Sequence, residues 1–359
     1  MFLVFIPFIL SAQKQITLED IFVNGTFNQK SVQGLRSMND GNHYTVMENG
    51  ARVVKYSYQT GQKVSEVFDL SSIANAPISR FNQYEFSNDE TKILLTTDIE
   101  PIYRHSYTAA YYVWNSVTQE LTPLSENGKQ QLATFSPDGE RVALVRDNNL
   151  FIKSLRFGTE SQVTYDGERN QIINGAPDWV YEEEFGFSKA FAWSPDSKFL
   201  AFMQFDESEV REFSMAMFKG LQPAMDEYSL YPGEETFKYP KAGEKNSVVT
   251  LHLYNVSAVK TTKIDLGNYE YIPRIKWTNN PEILSVITLN RHQNDLKLFA
   301  VNASNFTSKV ILNETDKAFV DIQDNLTFLT DNSFIWTSEK SGFNHIYHYS
   351  KEGKLINQV

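Results

Sequence analysis

One short phrase recurs along this chain and constrains its fold more than any other feature. An aromatic residue is followed by Ser or Thr, then Pro or Asn, then Asp or Asn, and a strand-like apolar run comes next. It reads Phe86-Ser87-Asn88-Asp89 ahead of Ile93-Leu94-Leu95 and Phe135-Ser136-Pro137-Asp138-Gly139 ahead of Val142-Ala143-Leu144-Val145. It returns as Trp193-Ser194-Pro195-Asp196 ahead of Phe199-Leu200-Ala201-Phe202, and more weakly as Trp277-Thr278-Asn279-Asn280 ahead of Ile283-Leu284-Ser285-Val286. Degenerate copies stand at Met38-Asn39-Asp40-Gly41 and Thr330-Asp331-Asn332-Ser333. Such a phrase is a β-turn joining two strands. Pro pre-sets φ at the first central position, and Asp and Gly tolerate the backbone conformations required at the later ones. The aromatic is expected to pack between sheets.

The anchors at 86, 135, 193, 277 and 331 are spaced by 49, 58, 84 and 54 residues. A repeat of about 50 residues holding several short strands marks a β-propeller blade. A β-sandwich with coincidental turns is the competing architecture. The long gap carries an insertion, residues 210–241, which is polar and punctuated by Tyr231-Pro232-Gly233 and Tyr239-Pro240-Lys241-Ala242-Gly243. A stretch of this length without blade pattern is either disordered or a functional arm. A short helix is expected at Thr17-Leu18-Glu19-Asp20-Ile21-Phe22, with Thr17 as N-cap and Asp20 three residues on.

Charge and composition narrow the function. The net charge of −11 argues against nucleic acid as a partner, because phosphate backbones are met by clustered Lys and Arg. With no cysteine in the chain, a disulfide scaffold, a Cys-ligated zinc and a cysteine nucleophile are excluded. The run Met1-Phe2-Leu3-Val4-Phe5-Ile6-Pro7-Phe8-Ile9-Leu10 is too short to span a bilayer. With the small residues after it, residues 1–13 read as a signal peptide lacking a basic n-region, which places the protein outside the cytoplasm. A buried first strand is the other reading.

Two constellations could carry chemistry. Asp178-Trp179-Val180-Tyr181-Glu182-Glu183-Glu184-Phe185 sets three adjacent carboxylates between aromatics. Such a run is either a solvated acidic turn or a cation site, since neighbouring carboxylates can share charge-assisted hydrogen bonds from one ammonium. Tyr103-Arg104-His105-Ser106-Tyr107-Thr108 places an Arg and a His among aromatics. Arg104 there could donate to a carbonyl or orient carboxylates with its planar fork. It could equally be a strand-end ion pair. The six histidines form no H-E-x-x-H or other metal spacing, and no P-loop or G-x-G-x-x-G occurs, so no metal and no cofactor is expected. Gly186-Phe187-Ser188-Lys189-Ala190 is the nearest approach to a G-x-S-x-G nucleophile elbow, and it ends in Ala.

Asp-Trp-Val-Tyr-Glu-Glu-Glu followed closely by Trp-Ser-Pro, with Arg104-His105-Ser106-Tyr107-Thr108-Ala109 upstream and Tyr239-Pro240-Lys241-Ala242-Gly243 downstream, resembles the N-terminal β-propeller region of the dipeptidyl peptidase IV family, within the prolyl oligopeptidase superfamily. The resemblance runs from about Thr17 to the C-terminus and looks closer to bacterial members than to animal ones. It implies an exported serine exopeptidase that removes X-Pro or X-Ala dipeptides from peptide N-termini. It also implies an eight-bladed propeller ahead of an α/β-hydrolase domain with Ser, Asp and His. By the same resemblance Glu183 and Glu184 hold the substrate's α-ammonium, and Arg104 reaches the substrate carbonyl and the glutamates. Residues 219–240 belong to an arm used for homodimerisation. An ammonium clamp then selects dipeptide length by positioning, because only two residues fit between it and the scissile bond.

Set against that family, residues 14–359 are expected to form an incomplete all-β propeller of about six of eight four-stranded antiparallel blades. By the resemblance, the catalytic Ser-Asp-His domain is expected to lie outside these residues. The partner implied is a peptide with a free N-terminus and a penultimate Pro or Ala. The chain alone is expected to be inactive. A non-catalytic propeller serving as a binding module is the reading from a different class. The family's animal members carry disulfide-forming cysteines in the propeller, and this chain has none.

Overall fold

The computed structural model describes residues 15–29, 31, 32, 34–221 and 224–359, so the signal-peptide reading of residues 1–13 lies outside the described residues. The chain divides into two compact units, one ending at Phe68 and one starting at Asp69. The first holds helix α1 (Leu18–Phe22), capped as expected. The Asp20 amide donates to Thr17 Oγ1 at 3.1 Å and the Thr17 amide returns a 3.4 Å bond to Asp20 Oδ2. A four-stranded antiparallel sheet, blade 1, runs from Arg36–Ser37 through His43–Glu48 and Arg52–Ser57 to Lys63–Asp69.

Among the described residues the second unit holds five more antiparallel blade sheets in chain order, built from successive strands except where a two-stranded hairpin is inserted in the five-stranded one. They span residues 83–123 (blade 2), 131–162 (blade 3), 172–264 (blade 4), 271–315 (blade 5) and 327–358 (blade 6). Blade 4 has a fifth strand, because both Ile172–Asn174 and Phe191–Trp193 pair with Phe199–Asp206. The fold is all-β and of β-propeller type, as the repeat spacing predicts.

The recurring phrase does form the turn between the first two strands of a blade, but the Ser carries more of it than the Pro. In blades 2, 3 and 4 the Ser hydroxyl donates to the Asp two residues on, at 2.6, 2.5 and 2.8 Å. The same oxygen accepts the amide five residues on, at 3.0, 3.0 and 2.9 Å. Ser87, Ser136 and Ser194 are buried, so this oxygen satisfies an amide that water does not reach. The residue after the Asp is the one in the left-handed region, with φ of 57° at Glu90, 67° at Gly139 and 60° at Ser197. Glycine is the unstrained choice there, and only one of the three copies uses it.

Adjacent turns also bond to each other. The Asp138 amide donates to Ser197 Oγ at 3.0 Å, and the Asn280 amide donates to Asn332 Oδ1 at 3.0 Å. The aromatics pack between blades as expected, for Trp193 Nε1 donates to the carbonyl of Thr134 in blade 3, and Trp277 Nε1 to that of Ala192 in blade 4. The core of the second unit consists of layers shared by neighbouring blades. Leu94, Tyr111 and Val113 cluster with Phe135, Val142 and Leu144, while Val145 and Ile152 cluster with Phe191, Leu200 and Phe202. Each such burial stabilises by roughly 1.5–3 kcal/mol.

The insertion in blade 4 is an ordered antiparallel hairpin, Glu212–Met217 paired with Gly233–Lys238. The Ser-Asp turns join first and second strands. The loops joining second and third strands, and those leading to the next blade, therefore emerge at the opposite end of each sheet. The Arg104 phrase sits on such a loop of blade 2, and the acidic phrase lies between Ile172–Asn174 and Phe191–Trp193, the two segments of blade 4 that pair with Phe199–Asp206.

Candidate functional site

The acidic phrase is a helix, not a turn. Helix α2 (Trp179–Glu184) starts at Asp178, whose side chain accepts the Tyr181 amide at 2.9 Å and so satisfies one of the helix's free N-terminal donors. Its other carboxylate oxygen accepts the Ser247 hydroxyl at 2.5 Å. Asp178 is buried, and desolvation raises its pKa above the ordinary carboxylate value. Tyr181 is fully buried among Phe185, Phe187 and Phe205, and its oxygen accepts the Ile272 amide of blade 5 at 3.1 Å. Cap and tyrosine together fix the helix against two blades. Gly175, just upstream, has φ of +77°, and a Cβ there would meet the Leu150 side chain at 2.6 Å, so any other residue at this position would be strained.

On that fixed helix the three glutamates meet different surroundings. Glu182 is 1% exposed and accepts the backbone amides of His105 and Ser106 at 2.6 and 2.9 Å. Glu183 is paired with Arg104, whose Nε lies 2.9 and 3.2 Å from the two carboxylate oxygens. The glutamate side chain is 17% exposed and the arginine side chain 70%. Glu184 is exposed, and no side-chain partner is found for it among the described residues. The structure thus brings Arg104 and Glu183 together across 79 residues of sequence and sets Glu184 beside them on the same helix.

The third sequence motif arrives at the same place. Trp179 packs on Phe237 of the arm's returning strand and on Tyr239 just after it, with ring centroids 6.4 and 4.5 Å away, and Tyr103 lies 6.4 Å from Phe237. Lys238, buried between them in sequence, donates to the carbonyl of Val210 at 2.8 Å and pins the base of the arm. Beneath the Arg104 loop lies a cavity of about 550 Å³, lined by Tyr103, Ser106, Arg169, Glu207 and Phe237 among others. Burial, reinforced by the charge of Asp178, pushes the Glu207 carboxyl up to about 7. Burial also pushes the Tyr103 phenol up to about 12.

Glu182, Asp178 and Tyr181 carry positions that sequence reading left without a role. An Asp ahead of a short amphipathic run is a cap signal, and it was available at Asp178. Nothing in three consecutive glutamates tells which one is buried. Gly186-Phe187-Ser188 is the coil leaving α2, where Phe187 packs on Tyr181 and beneath Arg274, so it is no nucleophile elbow. Among the described residues no group of three or more His, Asp or Glu side chains is arranged to hold a metal ion.

Residues 87–359 match the model of the dipeptidyl peptidase IV N-terminal region. The chain belongs to the dipeptidyl peptidase IV family. It is 30% identical over 374 residues to a protein named probable dipeptidyl-aminopeptidase B of Pyrenophora teres f. teres, covering 94% of this chain and 41% of that one. It is 35% identical over 238 residues to the protein of the same name in Podospora anserina, covering 63% of this chain and 25% of that one. The crystal structure of Porphyromonas gingivalis dipeptidyl peptidase 4 superposes with a TM-score of 0.90 at 45% identity, over 97% of this chain and 49% of its own. The chain therefore spans less than half the length of these dipeptidyl peptidase relatives and corresponds to their N-terminal region.

Proposed function

We propose that this chain is the substrate-recognition propeller of a serine-type dipeptidyl aminopeptidase that releases X-Pro or X-Ala dipeptides. Glu183 and Glu184 would receive the substrate's free α-ammonium, with Arg104 donating to its backbone carbonyl. The observation that supports this reading is the convergence of three distant motifs, the Arg104 loop, α2 and Tyr239, on one cluster that leaves a carboxylate pair and a guanidinium reachable from solvent. An α-ammonium has a pKa of about 8, so at neutral pH it is a cation suited to those carboxylates. An internal peptide segment brings no such cation and would bury the carboxylates unpaired, which disfavours endopeptidase activity.

The test is Glu183→Gln with Glu184→Gln in the full-length protein. Each charge-assisted bond lost is worth roughly 1.5–3 kcal/mol, so kcat/KM for an Ala-Pro or Gly-Pro substrate should fall at least about tenfold. Unchanged kcat/KM in the double variant would remove the assignment.

We also assign self-association to the arm. Its outer part exposes the large apolar side chains of Phe218, Leu221, Leu230 and Tyr231, and exposed apolar surface of this kind suits an interface. Replacing Leu221 and Leu230 by Glu should shift the full-length protein to monomer in sedimentation velocity. A dimer persisting in that variant would rule the arm out.

A further inference from the structure

The proposed site is assembled from two segments, and a buried carboxylate, Glu182, ties them together by two hydrogen bonds. Arg104 meets Glu183 at the surface, and a 70% exposed guanidinium is held weakly by such a pair. The loop that carries Arg104 is fixed one and two residues further on, where the amides of His105 and Ser106 both point at Oε1 of Glu182. Two successive N–H groups converging on one oxygen form a small anion-binding nest. The carboxylate in it is 1% exposed, and among the described residues it forms no ion pair with a cation. Its charge is balanced by backbone dipoles of the very loop it positions.

We infer that Glu182 is a positioning residue for recognition of the peptide N-terminus, acting through Arg104. This deepens the reading of Glu183, Glu184 and Arg104 as the ammonium and carbonyl site and rests on it. Helix α2 is anchored to blades 4 and 5 by Asp178 and Tyr181, whereas the Arg104 loop belongs to the hairpin of blade 2. Without the Glu182 clamp the two halves are linked at the surface by the Arg104–Glu183 pair and by the aromatic contact of Tyr103 with the arm. A donor displaced by about 1 Å can cost on the order of a hundredfold in rate.

Both amides use the same oxygen, which sets the order among substitutions. Glu182→Gln keeps an acceptor oxygen at the right reach, so it should hold the loop. Glu182→Asp withdraws the oxygen by one methylene, and Glu182→Ala removes it.

The experiment is a double-mutant cycle in the full-length protein, with kcat/KM measured on an Ala-Pro substrate and amide hydrogen exchange at His105 and Ser106. Glu182→Ala should lose tenfold or more in kcat/KM and speed exchange at both amides, while Glu182→Gln stays within about threefold of wild type. In an Arg104→Ala background the same Glu182→Ala change should cost less than about threefold, because the residue it positions is gone. Equal losses in both backgrounds would overturn the inference, since a merely structural residue acts regardless of Arg104. Wild-type kcat/KM in Glu182→Ala, alongside a loss in Glu183→Gln/Glu184→Gln, would overturn it and leave the site reading standing. No loss in that double glutamine variant would remove the site reading and this inference with it. Where Glu182→Ala does not fold, Glu182→Asp takes its place in the same cycle.

Discussion

Glu207 gives the region around the candidate site a pH dependence whose size is set by its surroundings. Its side chain is 6% exposed and lines the cavity beneath the Arg104 loop. Burial is the main cause of its raised pKa and the negative charge of Asp178 the next, while Lys238 and the Asn170 backbone oppose them. The carboxyl is pushed from 4.5 up to about 7. An acid that holds its proton more tightly when folded contributes stability that is fully present below pH 4.5. That contribution is lost as the pH rises toward 7, because the unfolded chain ionises first. Above that window the accumulated cost levels off at about 3 kcal/mol. Glu207→Gln removes the ionisation and keeps the size. It should stabilise the protein by about 3 kcal/mol at pH 8 and by less than about 1 kcal/mol at pH 5. Urea titrations at the two pH values, monitored by tryptophan fluorescence, measure this. All five tryptophans, Trp114, Trp179, Trp193, Trp277 and Trp336, lie beyond Asp69, so the signal reports the second unit alone. A gain of the same size at both pH values, or none at pH 8, refutes the reasoning.

Two further perturbations probe the supports of the fold and the site. Asp178→Ala removes the cap of α2 and leaves the Ser247 hydroxyl without its acceptor, at a cost of about 2–4 kcal/mol. Faster hydrogen exchange at the Tyr181 amide is the readout, and Asp178→Asn, which keeps the acceptor oxygen, should change it little. Ser194→Ala takes away the oxygen that accepts the Phe199 amide, so that turn should lose about 1–3 kcal/mol in the same urea assay. A loss under about half a kcal/mol would show that Pro195 and Asp196 hold the turn without the hydroxyl.

The propeller was legible because its signal is local and repeated. The aromatic and the Ser-Asp pair lie within four residues of each other, and each copy builds its turn without help from distant sequence. Glu90 and Ser197 at positive φ were not legible, because the turn closed by the Ser-Asp pair requires that conformation of residues that do not prefer it. The arm hairpin escaped for a different reason. Glu212–Met217 does alternate, with Phe213, Met215 and Met217 at every second position, but the run is short, lies in polar, Pro/Gly-punctuated sequence and buries almost nothing, so it did not stand out as a strand. At the site, the pairing of Arg104 with Glu183 depends on how blades 2 and 4 approach through the fold. No spacing in the sequence encodes it, and only resemblance to a family pointed there.

The acidic run resolves on the same physical terms. Three adjacent carboxylates repel one another, yet a helix turns by about 100° per residue and aims them in three directions. Glu182 turns inward onto two backbone amides, Glu183 along the surface onto a guanidinium, and Glu184 out to solvent. Two of the three charges are thus compensated within the protein, each by a different kind of donor. Among the described residues the third has no side-chain partner, and it stands next to a pair whose arginine is already largely solvated. A cation small enough to lie between Glu183 and Glu184 would complete the series, relieving the remaining repulsion while leaving Arg104 one hydrogen-bonding face for a neutral acceptor. A peptide's first residue supplies both groups, an ammonium and the carbonyl two bonds beyond it, and a lysine side chain or a metal ion supplies only the charge. The asymmetry of the three glutamates is therefore a stronger reason for an N-terminus as ligand than their number.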